Sequence, residues 1–155
     1  MNIFILDKDI QKSARYLTNR HSVKMILEQS QILCSVHHFY ESENVPYRKT
    51  HINHPCTIWT RTSLSNYKWL IDYTQAMIHE YKYRYDKIHA CQKVLDWCKE
   101  NIPRNIPDIG LTEFAQAMPE QYRNKDVVKA YRSYYIGEKS HLFEWKKRNK
   151  PRWIK

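Results

Sequence analysis

The sequence predicts a single all-α domain with a basic, aromatic C-terminal tail. Two observations decide the class. Only two glycines, Gly110 and Gly137, occur in 155 residues, whereas a sandwich or barrel needs many tight turns and more glycine. Long runs place apolar residues at helical spacing. The length fits one domain spanning 1–155, and 42% hydrophobic residues are enough for a core. No repeat, low-complexity segment or linker divides it.

The elements follow in order. Residues 3–6 (IFIL) read as a short strand or a packed arm. Asp9 caps a first helix through about Thr18. A second helix runs from Ser22 to Tyr40, with Val23, Ile26, Leu27, Leu33 and Val36 as its buried stripe. Residues 41–53 are polar, contain Pro46 and read as a loop. Pro55 suits a first helical turn, giving a short helix over 55–62. Ser63 or Ser65 caps a long helix to about Tyr83, with Leu64, Leu70, Met77 and Ile78 inward. Another helix runs from Lys87 to Glu100, burying Val94, Leu95 and Cys98. Residues 101–123 carry Pro103, Pro107, Gly110 and Pro119 and read as a long irregular connection, a kind of segment that is often functional. A last helix spans 125–135, and Gly137 breaks it or passes it into a second segment to about Lys147.

Composition narrows the partners. Twenty-six Lys and Arg against 16 Asp and Glu give a net charge of +10. Such a surface suits nucleic acid, an anionic membrane surface or a phosphorylated small molecule. Twelve Tyr and five Trp exceed what one core needs. Exposed among cations they suit base stacking; packed inward they pad a small core and carry their polar tips to the surface. The start, MNIFILDKD, is too short and too soon interrupted by charge for a signal peptide, and no apolar run is long enough to span a membrane. Four scattered cysteines (34, 56, 91, 98) read as free thiols of a cytosolic chain.

Three places can carry chemistry. His21, Lys24 and Glu28 stand at i, i+3 and i+7 of the second helix and share one face. A histidine, an amine and a carboxylate together bind a substrate and move a proton; the same spacing also suits a solvated face with a Lys–Glu pair. In residues 50–61, THINHPCTIWTR, His54 stands at a helix start beside Pro55. Free backbone NH groups there attract anions. Arg61, at i+7, would face the same ligand; the plainer alternative is a capping histidine and a locally paired arginine. The tail places Trp145, Lys146, Lys147, Arg148, Lys150, Arg152 and Trp153 together. There cations meet phosphates and indoles stack on bases or wedge a step.

Other chemistries lack their motifs. His51, His54 and Cys56 cluster, as do Cys34, His37 and His38, but neither spacing matches a common zinc site and no CxxC pair exists, so no metal is expected. There is no Gly-rich phosphate loop, GxSxG elbow or HExxH. Asp108 in IPDIG is the acidic residue a metal-dependent nuclease would use, and paired acids for such an enzyme are scarce.

The chain resembles the small viral pyrimidine-dimer DNA glycosylase/AP lyases of the endonuclease V type. The likeness rests on NRH at 19–21 with Glu28 seven residues after His21, on His54 opening an HxxxxW segment, on the long helix at 64–83, and on KPRW at 150–153. It is also similar to a family of viral proteins sharing the MNIF start and the THINHPCTIW run, which implies no activity. The first resemblance implies a cytosolic, host-cell DNA-repair enzyme on duplex DNA without metal or nucleotide cofactor. An N-terminal amine would attack C1′ and displace the base, and Glu28 would stabilise developing charge and assist the strand-cutting elimination. His21, His54 and Arg61 would hold phosphates or position the sugar.

Two departures stand out. The family's nucleophile is the amine of a small residue exposed after Met1 is removed. Here residue 2 is Asn2, before which Met1 is normally retained, so either Met1 or Asn2 carries the amine. The family also has arginines beside and shortly after its glutamate, where this chain has Leu27 and Gln31. The alternative function is therefore a non-catalytic protein that binds nucleic acid or a nucleotide-derived signalling molecule.

Overall fold

The computed structural model describes residues 1–155 and contains six α-helices and no strand. These are α1 (Ile10–Tyr16), α2 (Asn19–Phe39), α3 (Pro55–Thr62), α4 (Leu64–Tyr85), α5 (Gln92–Glu100) and α6 (Val127–Lys139). Two short 3-10 turns, Glu120–Tyr122 and Ser140–Leu142, flank α6. No helix is long and apolar enough to cross a membrane.

Five of the six helix starts, all but that of α5, are set by side chains that accept free backbone NH groups of the first turn. Asp9 accepts from Gln11 and Lys12, and Asp126 accepts from Val128 and Lys129. Thr18 caps α2, which begins at Asn19, three residues earlier than the expected start at Ser22. His54 caps α3 with Pro55 in the first turn. Ser63 alone separates α3 from α4. Its backbone is extended, and its hydroxyl accepts from the Ser65 amide and donates to the Gly110 carbonyl.

The apolar start is a packed arm. Residues Ile3–Leu6 are buried, and their backbone groups bond side chains instead of a neighbouring strand. Phe4 O accepts from the Tyr73 hydroxyl at 2.6 Å, Leu6 N donates to Ser13 Oγ at 2.9 Å, and Leu6 O accepts from Arg132 Nε at 2.8 Å. Buried backbone polar groups must be paired, and α1, α4 and α6 supply the partners here.

The central helix α2 packs on α3, α4 and α5. Ile26, Leu33 and Val36 are buried as expected, but Val23 and Leu27 are exposed. Small and polar residues, Ser22, Gln29, Ser30 and Ser35, occupy the inward positions instead. Their partners lie within reach: Ser30 Oγ donates to Ile26 O, and Gln29 Oε1 accepts from the Thr74 hydroxyl.

Two further boundaries differ from expectation. Helix α5 starts at Gln92 and not Lys87; residues 86–91 are bends, irregular backbone and a turn, and the His89 ring accepts the Cys91 amide just before the helix. Helix α6 runs through Gly137 without a break. A Cβ at this position would stand 2.3 Å from the Tyr122 hydroxyl, so a larger residue would have to displace that ring.

The C-terminal segment is strapped to the domain. Glu80 pairs with Arg84 at 2.9 Å and accepts two bonds from Arg148, at 3.0 and 2.9 Å. Arg84 is fully buried and also donates to the carbonyls of Leu17 and Arg15. This network joins α4, the end of α1 and the tail.

Candidate functional site

Asn2 anchors the start of the chain. Its Nδ2 donates to Ala117 O at 2.8 Å, while its Oδ1 accepts from the Ile3 amide at 2.8 Å and the Tyr131 hydroxyl at 3.1 Å. The Met1 side chain is only 3% exposed. A buried side chain on one side and a bonded amide on the other leave the terminal amine little freedom.

That amine lies 3.3 Å from Glu28 Oε2, and Lys24 Nζ lies 3.6 Å from Glu28 Oε1. The Glu28 side chain is 14% exposed, so its two cationic neighbours act through little intervening water. His21 and His54 flank the group, and all five residues line one cavity of about 280 Å3. The predicted face of α2 is therefore real, and the N-terminal amine joins it.

The two histidines are not phosphate-holding cations near neutral pH. Burial lowers His21 to about 4, and the charges of Lys139, Lys24, Arg20 and His141 add to the effect. The His21 ring stacks on Phe4 with centroids 4.6 Å apart, and Nδ1 lies 2.7 Å from the Tyr135 hydroxyl. It forms a neutral wall of the cavity. His54 is lowered by burial first, then by the N-terminal ammonium and His51, with Glu28 opposing. Its Nδ1 accepts the Cys56 amide, which leaves the proton of the neutral ring on Nε2.

His37 is a second buried histidine, lowered to about 4 by burial and then by His38. It bonds the hydroxyls of Ser42 and Tyr67. Below pH 6.5 the unfolded chain protonates both His21 and His37, while the folded chain keeps them neutral down to about 4. Stability therefore falls as pH drops through this window. Each histidine should cost about 2 kcal/mol between pH 7 and pH 5. Urea unfolding at the two pH values measures this, and equal midpoints would contradict neutral burial.

Arg61 is not at the site. Its guanidinium donates to the Ile52 carbonyl and stacks 4.2 Å over the Phe39 ring. Loop packing uses this arginine, and it does not line the cavity that His54 lines. Leu27 is exposed beside Glu28, and Gln31 is half-buried. Asp108 is exposed in the 101–119 connection and lines no part of this cavity.

Much of the tail packs inward. Trp145 Nε1 donates to Tyr16 O at 2.9 Å, and Trp153 packs edge-on against Tyr16 under Arg132. These indoles are committed to the protein and are not free stacking platforms. Arg148 is held by Glu80, and Lys147 by Asp86 at 3.2 Å. Lys146 lies over the Tyr85 ring, while Lys150 and Arg152 are exposed.

The second half of the chain completes the cavity with Ala117, Tyr134 and Lys139. Phe4 and Met25 also line it. None of these was distinguishable in the sequence from core or surface positions, because α6 meets α2 only through the tertiary fold. A roomier cavity, about 570 Å3, lies at the far ends of α2 and α5. Glu41, Glu43 and Glu100 line it against one cation, Arg104, and this acidic excess would repel a polyanion. No three His, Cys, Asp or Glu side chains converge on a point where a metal ion could sit. All four cysteines are free and buried.

A family model described as pyrimidine dimer DNA glycosylase matches residues 1–93, which include Met1, Asn2, His21, Lys24, Glu28 and His54. No curated protein and no solved structure matches the chain.

Proposed function

Because the chain belongs to the pyrimidine dimer DNA glycosylase family, we propose that it breaks the bond between a damaged pyrimidine and its sugar in duplex DNA and cuts the strand through its N-terminal amine. The observation that carries this reading is the amine 3.3 Å from Glu28 in a cavity at the surface. A nucleophile beside a carboxylate is the pairing that covalent catalysis needs.

The steps balance as follows. The ammonium gives up a proton, and Glu28 Oε2 is the acceptor within reach. The free amine bonds to C1′ as the bond from C1′ to the base breaks, and the base departs from C1′ with the electron pair and takes up the proton that Glu28 received, which returns Glu28 to its carboxylate. Opening of the C1′–O4′ bond, with O4′ taking up a proton that the attached amine loses, gives the Schiff base. Loss of a C2′ proton then drives cleavage of the C3′–O3′ bond, and the 3′ phosphate departs. Glu28 stabilises the positive charge on the sugar and assists the C2′ proton loss. Neutral His21 and His54 offer hydrogen bonds to the sugar without adding charge.

Nicking of UV-irradiated against unirradiated supercoiled plasmid, in chelator and with a borohydride lane, tests this. UV-dependent nicks and a trapped protein–DNA adduct are expected. No nicking and no adduct would sink it. The second reading, duplex binding without turnover, draws on exposed Leu27 standing where the family resemblance leads one to expect a cation. It would show as a steep salt slope of binding without nicks.

A further inference from the structure

Lys139 is the one C-terminal lysine that lines the cavity, and no carboxylate neutralises it. Arg132, Lys147 and Arg148 are each paired with a carboxylate: Asp7, Asp86 and Glu80. Lys139 is in none of the ion pairs, and the neighbouring Glu138 carboxylate is taken by the Tyr122 hydroxyl at 2.9 Å. Lys139 is nonetheless half-buried and lines the same cavity as the amine and Glu28.

Its position is held from below. The ammonium lies 5.4 Å over the Tyr134 ring. Tyr134 stacks on Phe4 with centroids 6.2 Å apart, and Phe4 stacks on His21 at 4.6 Å. A cation over an aromatic face is oriented without being neutralised. An unneutralised, oriented cation at the mouth of a cavity is a point charge available to an anion.

We propose that Lys139 binds a backbone phosphate of the DNA strand whose sugar enters the cavity, supplying from α6 a cation that α2 lacks at Leu27 and Gln31. The inference rests on the glycosylase reading for the identity of the strand. It extends the site beyond the family segment, which ends at residue 93. Lys24, from α2, is the other lysine that lines the cavity, and it is paired with Glu28.

The test is binding of a duplex carrying one tetrahydrofuran abasic analogue, which cannot form a Schiff base. Wild type, Lys139→Gln, Lys139→Arg and Lys93→Gln are compared over a salt series. Lys93 is an exposed lysine of α5 away from the cavity. Lys139→Gln should weaken binding about five- to tenfold and reduce the slope of log K against log salt by about 0.9. Lys139→Arg should restore the slope, and Lys93→Gln should match wild type. Binding by Lys139→Gln with the wild-type slope would overturn the inference, as would no binding by wild type. A Lys139-dependent slope in a protein that traps no adduct on UV-irradiated DNA would instead refute the enzyme reading and leave the phosphate contact standing.

Discussion

Glu28→Gln is expected to abolish strand cutting while leaving duplex binding intact. Glutamine keeps the shape and can still accept a bond from the Met1 amine or Lys24, but it cannot take a proton or offset positive charge on the sugar. General-base and electrostatic contributions of one group amount to about 10²–10⁴-fold in rate. Single-turnover nicking of a dimer-containing duplex should therefore slow by at least about 100-fold. Binding should hold or tighten, because a negative charge is removed from beside a phosphate strand. Only modest destabilisation is expected, since this carboxylate is not fully buried. Glu28→Gln nicking within fivefold of wild type would contradict the role assigned to it.

Glu80→Gln should produce the largest loss of stability of any single replacement in the tail network. Arg84 is fully buried, and Glu80 is its only carboxylate partner. Removing one partner of a buried pair leaves an uncompensated charge and costs about 3–5 kcal/mol. For a chain of this size that lowers Tm by about 10 °C. The same change removes the carboxylate that holds Arg148, so residues 145–154 should gain protease sensitivity below the melting transition. Glu80→Leu combined with Arg84→Met should be less destabilising than Glu80→Gln, because it removes both buried charges. Thermal melts with limited proteolysis check both effects, and a Tm within 2 °C of wild type would count against the network.

The helices were legible where local chemistry decides them. Asp9, Pro55 and Ser63 mark starts that the structure places within a residue of expectation. The misreadings have a common cause, which is tertiary packing overriding periodicity. Helix α2 is enclosed by three other helices, and where they cross closely it presents serines and a glutamine. Val23 and Leu27 are left outside, although an apolar stripe reads as inward. The IFIL arm looked equally like a strand, because only the fold shows that Ser13, Tyr73 and Arg132 satisfy its backbone.

The site was half legible. Glu28, His21, Lys24 and His54 converge as their spacing and order suggested. The tail's tryptophans and two of its cations, Lys147 and Arg148, look like a binding strip in sequence, yet they are bonded to the domain, while Lys150 and Arg152 stay exposed. Arg61 looked like a ligand of the His54 site but stacks on Phe39. Lys139 carried no signal at all. Nothing local to residues 134–139 indicates that Phe4 and Glu28 lie across from them.

The central claim is that the amine beside Glu28 is the nucleophile. Borohydride trapping on UV-irradiated duplex, followed by protease digestion and mass spectrometry of the adducted peptide, tests it most directly. The account predicts the reduced sugar on the α-amine of residue 1, with the Met1 side chain still present. An adduct on a lysine side chain, or none on a protein that nicks the duplex, would contradict it.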